Sequence, residues 1–134
     1  MAVRGIHHIG VAVEDLEESL ATYSSLFGAH VEHREELAEQ GVDAVSLRIG
    51  DSRVELLGAL GADTPVGKFL DRRGPGLHHL AFEVDDIAAE LERLSAAGAE
   101  LIDETPRRGT FGTTVAFVHP RTTGGVLAEL VTNG

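Results

Sequence analysis

The stretch "GIHHIGVAVED" at residues 5–15 returns as "GLHHLAFEVDD" at residues 76–86. Both alternate with period two, the mark of a strand with one face in a core. Histidine is a poor filler for such a strand, so a His pair at matched places in both copies asks for another reason. In the first copy His7, Ile9, Val11 and Val13 share one face, and Ile6, His8, Gly10 and Ala12 share the other. In the second, His78, Leu80, Phe82 and Val84 oppose Leu77, His79, Ala81 and Glu83. An offset of 71 aligns residues 6–20 with 77–91, and five of the fifteen positions are identical, both His included. Amphipathic patterning explains matched apolar residues but not the doubled His, which points to an internal repeat.

Outward from the first copy, Asp15 is the expected N-cap of a helix, with Glu18 in capping-box position. Leu16, Leu20, Tyr23 and Phe27 recur at helical spacing, and Gly28 is the stop. Strands are expected over 30–36, 42–49 and 53–57, the last two joined at Gly50-Asp51. Residues 59–75 hold Gly61, Pro65, Gly67, Gly74 and Pro75 and read as a connector with one short helix at 65–72. The second half repeats the order. A strand covers 77–84, a helix carries Ile87, Leu91 and Leu94 and ends at Gly98, and strands follow near 100–103, 113–118 and 126–131. "RRGTFG" at 107–112 reads as a Gly-rich loop, and "VELL" at 54–57 matches "AELV" at 128–131. The expected class is α+β. Residues 1–134 form a single domain of two βαβββ modules, 1–58 and 76–134, joined by connector 59–75. The modules form a curved eight-stranded half-barrel with the site on its concave face.

Composition narrows the function. The chain has 134 residues, 43% hydrophobic and 25% charged, values typical of a globular protein with a real core. No apolar run is long enough to span a bilayer and no leader-like segment opens the chain, so no membrane partner and a cytoplasmic location are expected. There is no cysteine, which excludes thiolate ligands, disulfides and a Cys nucleophile. A net charge of −11 argues against nucleic acid as a partner. Six of the eleven cations nevertheless gather in three loop-like stretches, at Lys68, Arg72 and Arg73, at Arg107 and Arg108, and at Arg121. Such loops can bind a small anion locally.

The strand faces assemble a candidate site. With 7, 9, 11 and 13 toward the helix, His8 lies on the opposite face, beside the space left by Gly10 and Ala12. His79 takes the same place in the second copy. Glu55 lies between Val54 and Leu56, and Glu129 between Ala128 and Leu130, so both point away from the helix side. A lone strand His or Glu is ordinarily a hydrogen-bonded or solvated residue. Four at repeat-related positions are another matter: if the sheets curve together, His8, Glu55, His79 and Glu129 converge as a site for one divalent metal ion, cobalt, manganese, zinc or nickel. His7 and His78 are then packing residues, and His30 and His33 are exposed.

The paired "HHIG…VED" and "HHLAFEVDD" strands resemble the vicinal-oxygen-chelate superfamily, which includes glyoxalase I. More specifically, residues 39–87, "DETPRRGTFG" (103–112) and "FVHPRTTGGVLAELV" (117–131) resemble the methylmalonyl-CoA epimerase family, over nearly the whole chain. The resemblance implies an acyl-CoA substrate, a homodimer, and inversion at carbon 2 by proton removal and return beside the metal. It implies a base on one face of that carbon and an acid on the other, and Glu129 and Glu55 are read as that catalytic pair. It places Arg72, Arg73, Arg107 and Arg108 near phosphates, and the backbone N–H groups of 109–113, among them Gly109, Gly112 and Thr113, near the substrate carboxylate. His119 lies near the metal or serves its turn. Bacterial relatives carry a Glu acid/base where this chain has Ala44, with Asp43 beside it; some have Gln where it has Glu55. Glu55 is read as restoring the missing carboxylate. Two alternatives remain: an enzyme of the superfamily acting on another acyl-CoA or thiol adduct, and a metal-free binding protein.

Overall fold

A computed structural model describes residues 3–133; residues 1, 2 and 134, which the module bounds include, lie outside it. Eight strands form one sheet in the order β2-β3-β4-β1-β5-β8-β7-β6. By contacts the chain divides into two compact units, one of residues 8–78 and one of the chain up to His7 with His79 onward.

In the first unit, β1 (Val3–Ala12, shared with the other unit) leads into α1 (Leu16–Phe27). The Asp15 side chain accepts from the Glu18 N–H at 3.0 Å, and Gly28 closes the helix with φ 65°, as its lack of Cβ permits. β2 (His30–Leu37), β3 (Val42–Ile49) and β4 (Ser52–Ala59) form an antiparallel meander, and β4 runs parallel to β1. Val13, Val45, Leu47 and Leu56 make the core with Val11, Leu16, Leu20 and Tyr23 packed against it. That confirms the helix-side parity of β1. α2 (Pro65–Arg73) follows, capped by Thr64.

The other unit repeats the plan. β5 (Gly76–Val84) precedes α3 (Ile87–Ala96), whose cap Asp86 accepts from the Ala89 N–H at 3.1 Å. Val84, Ile87, Leu91, Ala116, Val118, Ala128 and Leu130 form the core beneath α3. β7 (Thr113–Val118) and β8 (Leu127–Asn133) are antiparallel, and β8 is parallel to β5.

The sixth strand differs from expectation. Residues 100–103 make only an isolated bridge, Leu101 to Val118, and β6 is instead Arg107–Arg108, inside the expected loop. The cause is Asp103. Its carboxylate takes the Phe117 N–H at 2.8 Å, a donor that a strand ladder would otherwise use. The Phe117 carbonyl accepts from both Ile102 and Asp103 N–H groups, so the local bonding is irregular.

Candidate metal centre

Register places the polar residues. In the first unit Gly10 is the parallel partner of Glu55, so the two share a face with His8, two residues before Gly10. Gly10 brings no side chain there. Glu55 Oε2 lies 3.8 Å from His8 Nε2. In the other unit Ala81 is the partner of Glu129, again a small residue beside a carboxylate, and His79 Nε2 lies 3.5 Å from Glu129 Oε1. His8, Glu55, His79 and Glu129 are 5%, 6%, 4% and 7% exposed, too deep for surface residues.

Among the described residues, one group of three could hold a metal ion: His8, His79 and Glu129, with one ligand atom from each within 4.8 Å of the others. Glu55 is not in that group, though it lies against His8.

The donor set fits a divalent cation. Burial holds the His8 pKa below its ordinary value, against the pull of Glu55 and with that of nearby Arg53. The imidazole is thus kept neutral, as a metal ligand must be. Burial pushes the Glu129 carboxyl up to about 8; Arg107 opposes and Asp103 adds to it. A buried carboxylate is costly without a compensating charge, and a bound cation supplies one and favours ionisation. Two imidazoles and carboxylate oxygens suit manganese, cobalt, nickel or zinc.

The strand that carries Ala44 can now be read. Ser46 is the antiparallel partner of Glu55, so Ser46 and Ala44 share the face of Glu55, and Ala44 is fully buried there. Asp43 points to the other face, where Arg34 binds it at 3.1 and 3.4 Å and also reaches Glu17 at 2.7 Å. Asp43 is therefore spent in a surface ion-pair chain away from the His8–Glu55 pair.

The remaining expected residues are more dispersed. Arg72 and Arg73 close the last turn of α2, with the Arg73 guanidinium 5.7 Å above Phe69. Arg107 and Arg108 are exposed on β6. Arg107 lies 3.3 Å from Asp103 and 5.2 Å above the Phe117 ring, which meets His79 edge-on. Two of the five backbone N–H groups over 109–113 are already engaged. The Gly109 N–H donates to the Thr113 carbonyl at 2.9 Å and the Thr113 N–H to that of Thr110, so these two donors are consumed inside the turn. Gly109 has a packing reason: a Cβ there would lie 2.5 Å from Val115 Cγ1. His119 serves its turn, its Nδ1 accepting from the Arg121 N–H at 3.0 Å. His78 packs against Phe69 with ring centroids 4.9 Å apart, and His7 meets the Asn133 side chain at 3.0 Å. His30 and His33 are exposed.

Sequence reasoning missed Glu32 and Asp103. Each carboxylate engages an arginine on its unit: Arg53 Nε at 2.9 Å from Glu32, Arg107 Nε at 3.3 Å from Asp103. The signal was present, because 32 and 103 differ by the same 71 that separates His8 from His79.

Residues 7–117 match the Glyoxalase/Bleomycin resistance protein/Dioxygenase superfamily. The mitochondrial methylmalonyl-CoA epimerase of Homo sapiens is 38% identical over 126 residues, 93% of this chain and 72% of that protein. The crystal structure of methylmalonyl-CoA epimerase from Mycobacterium tuberculosis matches with a TM-score of 0.96 at 37% identity, over 99% of this chain and 90% of that one. A methylmalonyl-CoA epimerase in complex with methylmalonyl-CoA and ammonium matches with a TM-score of 0.96 at 37% identity, over 99% and 96%. The expected α+β class, an eight-stranded half-barrel sheet with three helices, is the fold shared with these structures. By sequence and by fold, the chain belongs to the methylmalonyl-CoA epimerase family of the glyoxalase/bleomycin resistance protein/dioxygenase superfamily.

Proposed function

We propose that this chain interconverts the (2R) and (2S) epimers of methylmalonyl-CoA by removing and returning the proton at carbon 2. The observation that carries the reading is the buried group of two imidazoles and a carboxylate at repeat-related strand positions. It stands in a chain whose named relatives are epimerases of that thioester.

His8, His79 and Glu129, with Glu55, would hold one divalent ion. When bound, the ion supplies Lewis acidity, lowering the cost of negative charge on the thioester oxygen by on the order of several kcal/mol. The chain's own carboxylates move the proton. Glu129 and Glu55 come from strands of different units, and in this reading they flank carbon 2. One takes the proton and the other gives one back, each contributing roughly 10²–10⁴-fold. Burial raises Glu129 to about 8 without metal, and a bound cation would favour its ionised form, the form that can take a proton. Ala44 offers no proton and Asp43 is bound to Arg34 on the opposite face, which leaves Glu55 to supply the second carboxylate. Arg72, Arg73, Arg107 and Arg108 are the cations for the phosphates of coenzyme A, and Gly112 with its neighbours lines the approach. A cytoplasmic homodimer using cobalt, manganese, zinc or nickel completes the reading.

The test is stereochemical. One epimer is supplied in heavy water, with and without chelator. The expected result is appearance of the other epimer with deuterium at carbon 2, lost on chelation and restored by metal. No exchange from metal-loaded protein would end the reading and favour an enzyme of another acyl-CoA or a binding protein.

A further inference from the structure

β2 carries a bulge at Glu32: the pairing with β3 passes from Val31–Leu47 to His33–Ser46, leaving Glu32 as the extra residue. Bulges re-aim a side chain, and this one brings Glu32 to the face of Ser46 and Glu55. There Glu32 Oε1 accepts from Ser46 Oγ at 3.2 Å and from Arg53 Nε at 2.9 Å, and its other oxygen lies 3.5 Å from Arg48 Nε. Arg53 precedes Glu55 by two residues on β4 and so shares its face. Glu55 in turn lies 3.8 Å from His8 Nε2. The Arg53 side chain is 28% exposed, so a solute can reach it. The bond to Glu32 uses Nε, whereas a guanidinium also carries N–H groups on both Nη atoms.

The other unit is built to the same end from non-corresponding parts. Asp103, 71 residues after Glu32, holds Arg107, which lies over Phe117, the strand partner of Glu129. Arg53 comes from β4 and Arg107 from β6, so the shared product is a fixed cation beside a His–Glu pair.

We infer that Arg53 is a specificity-determining residue that receives the free carboxylate of the acyl substrate, and that Glu32 is the positioning residue that fixes its guanidinium beside His8 and Glu55. This rests on the epimerase reading. A planar fork held at Nε presents paired donors to a carboxylate, which a lysine at this place would not.

The experiment compares metal-loaded wild type with Arg53→Ala, Arg53→Lys and Glu32→Gln, following deuterium entry at carbon 2 of methylmalonyl-CoA and measuring bound metal. Arg53→Ala is expected to raise KM about 10- to 100-fold with metal content unchanged, in line with loss of a charge-assisted bond. Added guanidinium should recover part of the loss. Arg53→Lys should recover less than half of it, and Glu32→Gln should raise KM a few-fold while retaining metal. If Arg53→Ala keeps KM within twofold of wild type, or loses the metal, the inference is overturned. If Arg53→Ala does not fold, Glu32→Gln decides alone: an unchanged KM overturns the inference. Absence of exchange in the wild type would instead remove the epimerase reading itself.

Discussion

A different residue stands opposite each site carboxylate: Ser46 pairs with Glu55, and Phe117 pairs with Glu129. The two are repeat-related, 71 residues apart, as are Glu32 and Asp103 beside them. In the first unit Glu32 binds the Ser46 hydroxyl, and β2 survives as an eight-residue strand with one bulge. In the other unit Phe117 has no side-chain donor, so Asp103 binds its backbone N–H, and the corresponding strand shrinks to a bridge. One carboxylate is used twice, once at the cost of a bulge and once at the cost of a strand. The lesson is that the repeat preserves the ligand face while letting the outer strand vary.

The largest effects should break the symmetry at the carboxylates. Glu129→Gln is expected to lower the exchange rate about 10³-fold or more, because it removes both a metal donor and a proton carrier. Glu55→Gln should do so to a similar extent if the two units contribute equally. Full activity in Glu55→Gln beside an inactive Glu129→Gln, measured by deuterium entry, would show that only one unit carries the chemistry.

The units should also oppose each other in pH dependence. Glu129, raised to about 8 by burial, stabilises the metal-free fold fully below about 4.5, and that contribution is lost as pH rises through 8. His78, lowered to about 4 by burial, acts in the other sense: its contribution is present above about 6.5 and lost as pH falls through 4. Chelator-treated wild type should therefore show partly cancelling slopes between about 4.5 and 6.5. His78→Phe, which keeps an aromatic against Phe69, should steepen the fall toward alkaline pH, with the opposing contribution of His8, also lowered by burial, left in place. Urea unfolding at pH 5, 6.5 and 8 checks it; an unchanged slope in His78→Phe would show that the imidazole is not desolvated as described.

Asp103→Ala should destabilise by about 1–3 kcal/mol, since the Phe117 N–H loses its partner. Glu32→Ala, which strips a hydroxyl and partly exposed arginines, should cost less, about 1 kcal/mol or below. Equal costs in denaturant titrations would contradict the distinction between the two outer carboxylates. The smallest effect should come from Asp43→Asn. Its exposed ion pair with Arg34 is worth about 0.2–1 kcal/mol, and exchange should stay within about twofold of wild type. A loss of tenfold or more would return Asp43 to the proton-transfer chemistry.

Much of this was legible in the residues alone. The alternation in β1 and β5 named the buried face, and the doubled His with the matched Glu of β4 and β8 named four residues that are all buried in the structure. Those are local properties, decided by period two and by the turn and cap chemistry of Asp15, Gly28 and Asp86. Some readings failed for equally local reasons. The loop over 109–113 looked fully open because a Gly-rich stretch reveals its freedom but not its bonding; two of its donors, the N–H groups of Gly109 and Thr113, turn inward. The strand over 100–103 looked sound because its apolar residues fit the pattern, while one side chain's claim on a distant N–H is invisible to any pattern.

The sequence by itself determined the class of fold, the repeated order of elements and the strand faces on which the paired His and Glu lie, because strand period and caps are set by neighbours a few positions away. Only the tertiary structure decided that Asp43 is turned from the site, that Glu32 and Asp103 each hold an arginine beside a His–Glu pair, and that β6 lies at Arg107–Arg108. Those outcomes depend on register between strands far apart in the chain, where a shift of one residue sends a side chain to the opposite face.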